Sequence, residues 1–381
     1  MRMFAVSAPG LETIVASELY RMGNCDAAAV SGGVNFSGSL AHLYDANLNL
    51  RTASRIVVRV DEFHASSFHE LERRAKRIRW DQYLMPGARV QFRVTCRKSR
   101  LYHSDAVAQR FSEAVAKQVS GIVVGAASET ADDGDADTDD PTAAQLFTVR
   151  LAHDNCVVSA DSSGALLHRR GYRQAIGKAP LRETLAAAMV IESGWDGRSP
   201  FIDPMCGSGV IAIESALIAR QIPPGIHREF AFQGWPAYDK ALWEGVKEKR
   251  LAARQTDVIG AILASDRDDG VVKSAITNAV RAGVADDIQF ESKPISAIEP
   301  PPGKGWMVTN PPYGVRVGDR GALRNLYAQI GNVVREKARG YTIGLLTSDS
   351  MLESQLRLDL EEVFRTRNGG IPVRFMKGFQ A

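Results

Sequence analysis

The sequence has few cysteines, and none of them stand close together. The four cysteines in 381 residues are Cys25, Cys96, Cys156 and Cys206, and no two of them form a CxxC pair. Four scattered cysteines without a CxxC pair do not form the pattern of a disulfide framework or a structural zinc site, so neither is indicated. We therefore expect a protein of the reducing cytoplasm that binds no metal ion.

Long apolar runs are also missing. The longest, "LAAAMVI" from Leu185, falls far short of the roughly 20 residues that span a bilayer. The N-terminal segment "MRMFAVSAPGLE" reaches Glu12 before an apolar core develops, unlike a signal peptide. These absences predict a cytoplasmic protein without membrane association, and the length predicts two or three domains.

Charge is unevenly distributed along the chain, although the net charge is only +3. Residues 126–140, "AASETADDGDADTDD", contain acids, no base and no apolar side chain larger than alanine. This composition predicts a disordered acidic loop over 126–141. The rest of the N-terminal half is basic, which favours an anionic partner such as nucleic acid, although a well-solvated surface explains the charge equally well.

The N-terminal part of the chain predicts two small α+β units. Residues 1–55 combine an N-terminal strand with a helix after Pro9. Residues 56–165 contain a helix in "SSFHELERRAKRIRW" and a strand in "RVQFRVTC", in which apolar and polar residues alternate. Residues 166–180 then form a basic linker without any acid.

Apolar strands and helices alternate after Pro180. The pattern predicts helices over 181–193, 210–220 and 271–282, and strands over 201–203, 258–265, 288–291 and 306–309. A further apolar strand is predicted in "YTIGLLTS". This alternation is typical of an α/β domain with a doubly wound, mostly parallel sheet, which we place over 181–381.

A glycine-rich turn follows the first predicted strand of this domain. The segment "FIDPMCGSGVIAIESA" has Asp203 at the strand end, then Gly207-Ser208-Gly209, then a helix. Glycines let a ligand approach the backbone, although a tight turn alone would need them too. The third glycine of the dinucleotide fingerprint is replaced by Ala212. Because a carboxylate repels phosphate, Asp203 favours a ligand with an ammonium group.

A second acid ends the next predicted strand. Asp266, in "ASDRD", can bind both ribose hydroxyls of a nucleoside. The long interval after Gly209 predicts that "IPPGIHREFAFQGWPAYDKALW" is an inserted excursion. Asn278 lies on the following helix. Each of these residues could be a surface group or a cap, but their shared position in one sheet favours a nucleoside-type cofactor.

The motif "TNPPYG" follows the fourth predicted strand. Proline fixes φ and lacks an N–H, so Pro311 and Pro312 predict a stiff turn with unpaired carbonyls. The side chain of Asn310 and the carbonyl of Pro311 can accept the two N–H bonds of an exocyclic base amine. Tyr313 offers a ring on which the base can stack. The motif therefore favours transfer of an activated methyl group to such an amine.

Four segments together resemble one known family. They are "LLHRRGYRQAIGKAPLRETLAAAM", "DPMCGSGVIAIESALIA", "IPPGIHREFAFQGW" and "NPPYGVR". Their order and spacing are similar to those of the THUMP-domain class I S-adenosylmethionine-dependent RNA methyltransferases, especially the bacterial 23S rRNA guanine-N2 enzymes. The resemblance covers essentially the whole chain. It implies an N-terminal ferredoxin-like subdomain, a THUMP RNA-binding domain over 56–165 and a C-terminal Rossmann-like catalytic domain.

The resemblance also implies roles for individual residues, with S-adenosylmethionine as the cofactor and RNA as the partner. The residues assigned to the cofactor are Asp203, Pro204, Cys206, Gly207, Ser208, Gly209, Asp266, Arg267, Asn278 and Asn310. The catalytic residues are Asn310, Pro311, Pro312 and Tyr313. The charge pattern, rather than the resemblance, gives the candidate RNA-binding residues, each of which could also be a solvated surface charge: Arg73, Arg74, Arg77, Arg93, Arg97, Lys98, Arg100, Arg169, Arg170 and Arg173.

One departure from the family concerns the adenine of the cofactor. After the third strand, relatives usually carry an Asp beside the adenine amine, whereas "FESKPISAIEP" has Lys293-Pro294 there. A backbone group, Glu291 or Ser292 would have to replace that contact.

The choice of substrate stays open at this point. The motif around Asn310 serves adenine N6, cytosine N4 and guanine N2 alike, and only the resemblance favours guanine N2 in 23S rRNA. A tRNA guanine-N2 methyltransferase is an alternative, because THUMP domains commonly read the tRNA acceptor region. An adenine-N6 methyltransferase and a non-catalytic RNA-binding assembly factor are further alternatives. No obligate protein partner is indicated.

Overall fold

The computed structural model describes residues 1–125, 144–173, 181–257, 260–313 and 320–381. The predicted acidic loop over 126–141 and residues 174–180 of the predicted linker lie outside these ranges. The chain divides into two units, which we describe separately. The first unit comprises Met1–Ser7, Val15–Leu167 and Arg228–Glu248, and the second comprises Ala8–Ile14, His168–His227 and Lys249–Ala381.

Strands and short helices make up the N-terminal part of the chain. They are β1 (Arg2–Ser7), α1 (Glu12–Arg21), β2 (Ala28–Val30), β3 (Gly33–Ser37), α2 (Leu40–Asn49), β4 (Ala53–His64), α3 (Phe68–Ala75), β5 (Arg89–Arg97), α4 (Ser104–Ala116), β6 (Val123–Val124), β7 (Gln145–Ala152) and β8 (Asn155–Asp161). α3 begins after a serine cap, because the Glu70 N–H donates a hydrogen bond to the Ser67 hydroxyl at 3.3 Å.

The described strands of the first unit form one sheet, in the order β2-β3-β1-β4-β8-β7-β5-β6. Alternate residues are buried, among them Met3 in β1, Ile56 in β4 and Phe92 in β5. Strand geometry places these side chains on one face of the sheet. β4 pairs with β1 on one side and with β8 on the other. The predicted boundary between residues 55 and 56 therefore falls inside β4, and the two predicted subdomains share a sheet.

The predicted excursion between the first two strands of the C-terminal domain belongs largely to the first unit. Its aromatic residues pack on α2, where the rings of Tyr44 and Phe232 stack with their centroids 4.5 Å apart. The Asp239 N–H donates a hydrogen bond to the Tyr44 hydroxyl at 3.0 Å. The Trp235 indole N–H donates to the side-chain oxygen of Gln145 at 2.7 Å. The aromatic composition of the excursion thus serves the core of the first unit.

Helices and strands alternate from residue 181 onward, as predicted. The described elements are α5 (Glu183–Ser193), β9 (Phe201–Asp203), α6 (Val210–Ala219), α7 (Lys240–Ala252), β10 (Ile262–Asp266), α8 (Asp269–Ala282), β11 (Ile288–Ser292), β12 (Gly305–Thr309), α9 (Arg320–Lys337), β13 (Tyr341–Thr347), α10 (Ser350–Leu356), β14 (Glu361–Asn368) and β15 (Ile371–Phe379). The strand predicted over 258–265 begins only at Ile262 among the described residues.

The second unit contains the predicted, mostly parallel sheet. Its strand order is β11-β10-β9-β12-β13-β15-β14, and the strands from β9 to β13 run parallel to one another, whereas β15 is antiparallel to β13. The sheet ends in an antiparallel hairpin, β14–β15, that we did not predict. Its turn is Gly369-Gly370, and both glycines have left-handed φ angles, of 53° and 83°. "NGG" is a hairpin signal, so the sequence did contain this information.

Apolar side chains cover both faces of this second sheet. One cluster joins α5, α6 and α8 to the strands, with Ala186, Ile213 and Ala279 fully buried. The other joins α9 and α10 to the opposite face, with Tyr327 and Val334 fully buried. Burial on both faces explains why the central strands β9, β12 and β13 are almost entirely apolar. None of the helices in the described ranges is long and apolar enough to cross a membrane.

Candidate active site

The glycine-rich turn connects β9 to α6 at the carboxyl edge of the second sheet. The Cys206 N–H donates a hydrogen bond to the Ser265 carbonyl at 2.9 Å, and the Gly209 N–H donates to the Cys206 carbonyl at 2.8 Å. Gly207 and Gly209 have φ angles of 52° and 83°, in the left-handed region that favours glycine. The turn therefore needs glycine at both positions, and Pro204 is buried beside it.

The two glycines of the turn predict different mutant phenotypes. A Cβ atom at Gly209 would lie 2.9 Å from the Cβ of Ala275 in α8, whereas one at Gly207 would meet nothing within 4 Å. We expect Gly209→Ala to lower the free energy of unfolding by about 2 kcal/mol or more, because backbone strain and overpacking add. Gly207→Ala should cost only about 1 kcal/mol. Urea unfolding of both variants tests this, and equal losses would contradict it.

Asp266 lies at the end of β10, next to the turn. Its carboxylate accepts hydrogen bonds from the Gly207 N–H and the Asp268 N–H, both at 3.1 Å. Asp266 is half-buried and Arg267 is exposed. The carboxylate therefore fixes the turn and still reaches solvent, as a ribose-binding group would need.

Asn278 lies on α8, the helix predicted over 271–282. It is buried in α8, and its side-chain amide donates a hydrogen bond to the Ser208 carbonyl at 3.1 Å. The Arg281 guanidinium donates to its other side-chain atom, Oδ1, at 3.5 Å. Asn278 thus stabilises the turn, and its contact with a cofactor stays a prediction.

Asp203 is the last residue of β9, next to β12, and is fully buried. The Thr309 hydroxyl donates a hydrogen bond to Oδ1 of Asp203 at 2.9 Å. The second carboxylate oxygen, Oδ2, is buried and has no hydrogen-bond partner in the described part of the chain. Burial raises the pKa of Asp203 to about 7, and the negative charge of Asp266 acts in the same direction. An unpaired buried carboxylate oxygen is a position where a donor or a cation would be stabilising.

The motif that follows Thr309 holds a second unpaired oxygen. Oδ1 of Asn310 is buried and has no hydrogen-bond partner among the described residues. Pro311 is buried, and Pro312 and Tyr313 are half-buried. Because β9 and β12 are parallel neighbours, Asp203 and Asn310 follow adjacent strand ends. This is the switch point of the sheet, where ligands bind in open α/β folds.

Tyr313 is fixed by a residue that sequence reasoning missed. The side-chain amide of Asn368, at the end of β14, donates a hydrogen bond to the Tyr313 hydroxyl at 3.1 Å. Asn368 is buried, and its own Oδ1 has no partner within the described ranges. Burial raises the pKa of Tyr313, so its hydroxyl stays protonated at neutral pH. The unpredicted hairpin thus reaches the motif and holds its aromatic ring.

The bond between Asn368 and Tyr313 predicts a coupled pair of mutants. Asn368→Leu keeps the volume of the side chain but removes the donor, and Tyr313→Phe removes the hydroxyl and keeps the ring. Each should lower the rate of the reaction at this site about three- to tenfold, which is the net value of one hydrogen bond. The double variant should lose no more than either single one. Additive losses in single-turnover rates would show that Asn368 acts elsewhere.

Lys293-Pro294 stand where relatives usually carry the Asp beside the adenine amine of the cofactor. The Lys293 N–H donates a hydrogen bond to the Asp266 carbonyl at 2.9 Å. The Lys293 side chain forms an ion pair with Glu291. Of the groups that we considered as replacements for the missing Asp, Glu291 is therefore already paired, and Ser292 is exposed at the end of β11.

The structure divides the candidate RNA-binding residues into two sets. Exposed or half-buried residues are Arg73, Arg74, Arg77, Arg93, Arg97, Lys98, Arg100 and Arg169. Arg170 is buried against Glu214 at 3.5 Å, and the buried side chain of Arg173 pairs with Glu183 at 3.2 Å. These two guanidiniums are held inside the second unit. Their assignment to an RNA surface is corrected, because net charge in a sequence does not show which cations are buried.

Two family models and a sequence relative match this chain. The family described as "RMKL-like, methyltransferase domain" matches residues 170–377, and the family described as "RlmL ferredoxin-like domain" matches residues 2–57. A protein of Synechocystis sp. described as a candidate RNA methyltransferase is 33% identical over 375 residues, which are 98% of this chain and 95% of that protein.

Solved structures are similar over the whole chain. The structure of SMU.472, a candidate methyltransferase in complex with S-adenosylhomocysteine, has a TM-score of 0.87 and 28% identity and covers 100% of this chain and 98% of that one. A protein from Listeria monocytogenes is described as a candidate N6-adenine-specific DNA methylase. Its structure has a TM-score of 0.87 and 30% identity, and the match covers 100% of this chain and 96% of that one.

Proposed function

We propose that this chain, which belongs to the RMKL-like methyltransferase family, methylates an exocyclic base amine in RNA, most specifically guanine N2 in 23S rRNA. The observation that carries the proposal is the unpaired, buried Oδ1 of Asn310 at the switch point of the sheet. An acceptor left without a donor costs about 1–3 kcal/mol. A base amine that donates to it would remove that cost, and only in the bound state.

The residues around the glycine-rich turn fit S-adenosylmethionine. The side chain of Asp203 has a buried oxygen free for the ammonium end, and a Cβ at Gly207 would point into open space. Asp266 would bind the ribose hydroxyls. When bound, S-adenosylmethionine supplies a methyl group on a positively charged sulfur. The chain would thus hold the ammonium group and the ribose of such a ligand at adjacent strand ends.

The residues from Asn310 to Tyr313 would orient the base amine. Its lone pair is normally delocalised into the ring, which makes the nitrogen a poor nucleophile. Two acceptors, the Asn310 side chain and the Pro311 carbonyl, would hold the two N–H bonds and direct the lone pair outward. Tyr313 would stack on the base, and Asn368 would hold Tyr313 in place. Such positioning contributes up to about 7–11 kcal/mol to catalysis.

RNA is favoured over DNA by two observations. The Synechocystis relative is described as a candidate RNA methyltransferase, and residues 2–57 match a ferredoxin-like domain family named for RlmL. We propose that residues 56–165 form the THUMP RNA-binding domain within this unit. The description of the Listeria protein names adenine N6 in DNA, so that substrate is the principal competitor.

Transfer to fractionated RNA tests the proposal. Purified protein is incubated with S-adenosylmethionine that carries a labelled methyl group and, in separate reactions, with RNA and with DNA from a strain that lacks the gene. We expect the label in 23S rRNA. Label confined to tRNA would move the substrate to the tRNA alternative, with the site unchanged. Label only in DNA, or in no nucleic acid at all, would contradict the proposal, provided that the protein binds S-adenosylhomocysteine.

A further inference from the structure

One face of the first unit's sheet is basic. Arg59 in β4 lies opposite Ser159 in β8, Ser159 lies opposite Thr148 in β7, and Thr148 lies opposite Arg93 in β5. Residues paired directly across a sheet point to the same side. Arg59 and Arg93 therefore share one face, with only hydroxyl side chains between them.

Further arginines have the same orientation. Arg150 in β7 lies opposite Thr95, which is two residues after Arg93. The alternation of side chains along a strand adds arginines at the ends of β1 and β5 to this face. They are Arg2, Arg89 and Arg97. We call the surface of Arg2, Arg59, Arg89, Arg93, Arg97 and Arg150 the basic face.

Few acids balance these charges. The register places Glu62 on the basic face, where it pairs with Arg2 at 3.5 Å. Asp161 is also on this side, but it is buried in an ion pair with Arg55. The opposite face is apolar and packs against helices, with Phe92 and Phe147 buried there. The basic face is thus the side of the sheet that the core does not use.

The guanidinium of Arg59 is held in a fixed position. It donates a hydrogen bond to the Ser159 hydroxyl at 3.1 Å and lies 4.4 Å from the centre of the Phe4 ring. Nε of Arg93 is buried and has no hydrogen-bond partner in the described residues. Arg150 is exposed. At about 4.8 Å per strand, Arg59 and Arg93 stand roughly 14 Å apart, a length of a few nucleotides.

An exposed aromatic ring lies in the loop that follows the basic face. Tyr102 is 69% exposed, and its ring centroid is 4.1 Å from that of His103. The loop begins at Arg97 and is fixed to the β7–β8 turn, because the Arg100 N–H donates a hydrogen bond to Asp154 at 2.7 Å. Cations combined with an exposed aromatic ring are typical of single-strand binding, in which bases stack on the ring.

We propose that the basic face binds the sugar-phosphate backbone of a single-stranded RNA segment, and that Tyr102 stacks one of its bases. The inference rests on the proposed function for the choice of RNA. It keeps Arg93 and Arg97 from the predicted RNA-binding residues and leaves out Arg73, Arg74 and Arg77. Arg73 and Arg74 belong to α3 and Arg77 follows it, on the opposite side of the sheet, where Arg74 lies 6.0 Å from the Phe63 ring. The two surfaces can therefore be tested separately.

Fluorescence anisotropy with a labelled, mixed-sequence, single-stranded oligoribonucleotide tests this. Two triple variants of the full chain remove equal charge: Arg59→Gln, Arg93→Gln, Arg150→Gln, and the control Arg73→Gln, Arg74→Gln, Arg77→Gln. We expect the first to weaken binding about tenfold or more and to reduce the salt slope by about two. The control should change affinity less than about twofold, and Tyr102→Ala should weaken binding about tenfold.

Several results would overturn the inference. One is that the first triple variant binds the oligoribonucleotide as tightly as the wild type. Another is that both triple variants lose the same affinity. A third is that the protein binds a duplex RNA more tightly than the single strand. Affinity for S-adenosylhomocysteine and the unfolding temperature show whether each variant is folded. If the first triple variant does not fold, the exposed position alone, as Arg150→Glu, gives the test. The assay measures RNA binding without methyl transfer. Its result therefore stays interpretable even if the protein does not catalyse the proposed reaction.

Discussion

Replacing Asn310 by alanine is expected to reduce kcat for methyl transfer by about 10²- to 10³-fold, the loss typical of removing one preorganised polar group from a reaction centre. The buried Oδ1 of Asn310 has no hydrogen-bond partner in the described residues, so we expect the base amine of the substrate to donate a hydrogen bond to it. Affinity for S-adenosylhomocysteine should change only a few-fold. Single-turnover transfer and equilibrium binding measure the two effects separately.

Two further variants make this result specific. Asn310→Asp keeps an acceptor oxygen at the same place, and we expect it to retain more activity than the alanine variant. Asn332→Ala removes an exposed asparagine of α9 in the same unit and should leave the rate unchanged. If Asn310→Ala transferred methyl groups at a rate close to that of the wild type, Asn310 would not hold the amine.

Cofactor affinity is expected to fall about tenfold from about pH 8 to about pH 6 in the wild type. Burial raises the pKa of Asp203 to about 7, so the carboxyl becomes protonated in this range and loses its attraction for an ammonium group. Asp203→Asn should bind weakly at both pH values. Isothermal titration with S-adenosylhomocysteine, which has the same ammonium end, measures the dependence, and a wild-type affinity independent of pH would contradict it.

The same pKa determines the sign of the pH dependence of stability. The folded protein holds a proton on Asp203 up to about pH 7, whereas the unfolded chain releases it near the usual value of 3.8. The unfolded state then binds fewer protons, so the contribution of Asp203 to the free energy of unfolding falls as the pH rises from about 4 to about 7. It stays low above that range. Asp203→Asn should remove this slope in urea unfolding of the free protein.

Local patterns were sufficient to predict the catalytic sheet. Alternating apolar strands and helices predicted a mostly parallel sheet, and the structure and its solved relatives confirm that class. Asp203 and Asp266 were each identified at the end of a strand, and both lie at strand ends. Such features depend on neighbouring residues in the chain, which is why periodicity and turn residues are informative about them.

Contacts between distant residues could not be predicted in this way. The Thr309 hydroxyl reaches Asp203 across 106 positions of the sequence, and Asn368 reaches Tyr313 across 55. The residues next to Asn368 in the sequence do not indicate that it forms a hydrogen bond with Tyr313, although "NGG" indicates the hairpin to which Asn368 belongs. Arg170 was assigned to a surface for the converse reason, because its carboxylate partner, Glu214, lies on α6.

The measurement that tests the central claim most directly is the identity of the methylated nucleoside. RNA methylated by the purified protein is digested to nucleosides and analysed by mass spectrometry, with Asn310→Ala as the control. We predict N2-methylguanosine in the wild-type digest and none above background in the control. A methyl group on a ring carbon, a ring nitrogen or a ribose oxygen would contradict the claim, because the acceptors at Asn310 and Pro311 are suited to an exocyclic amine.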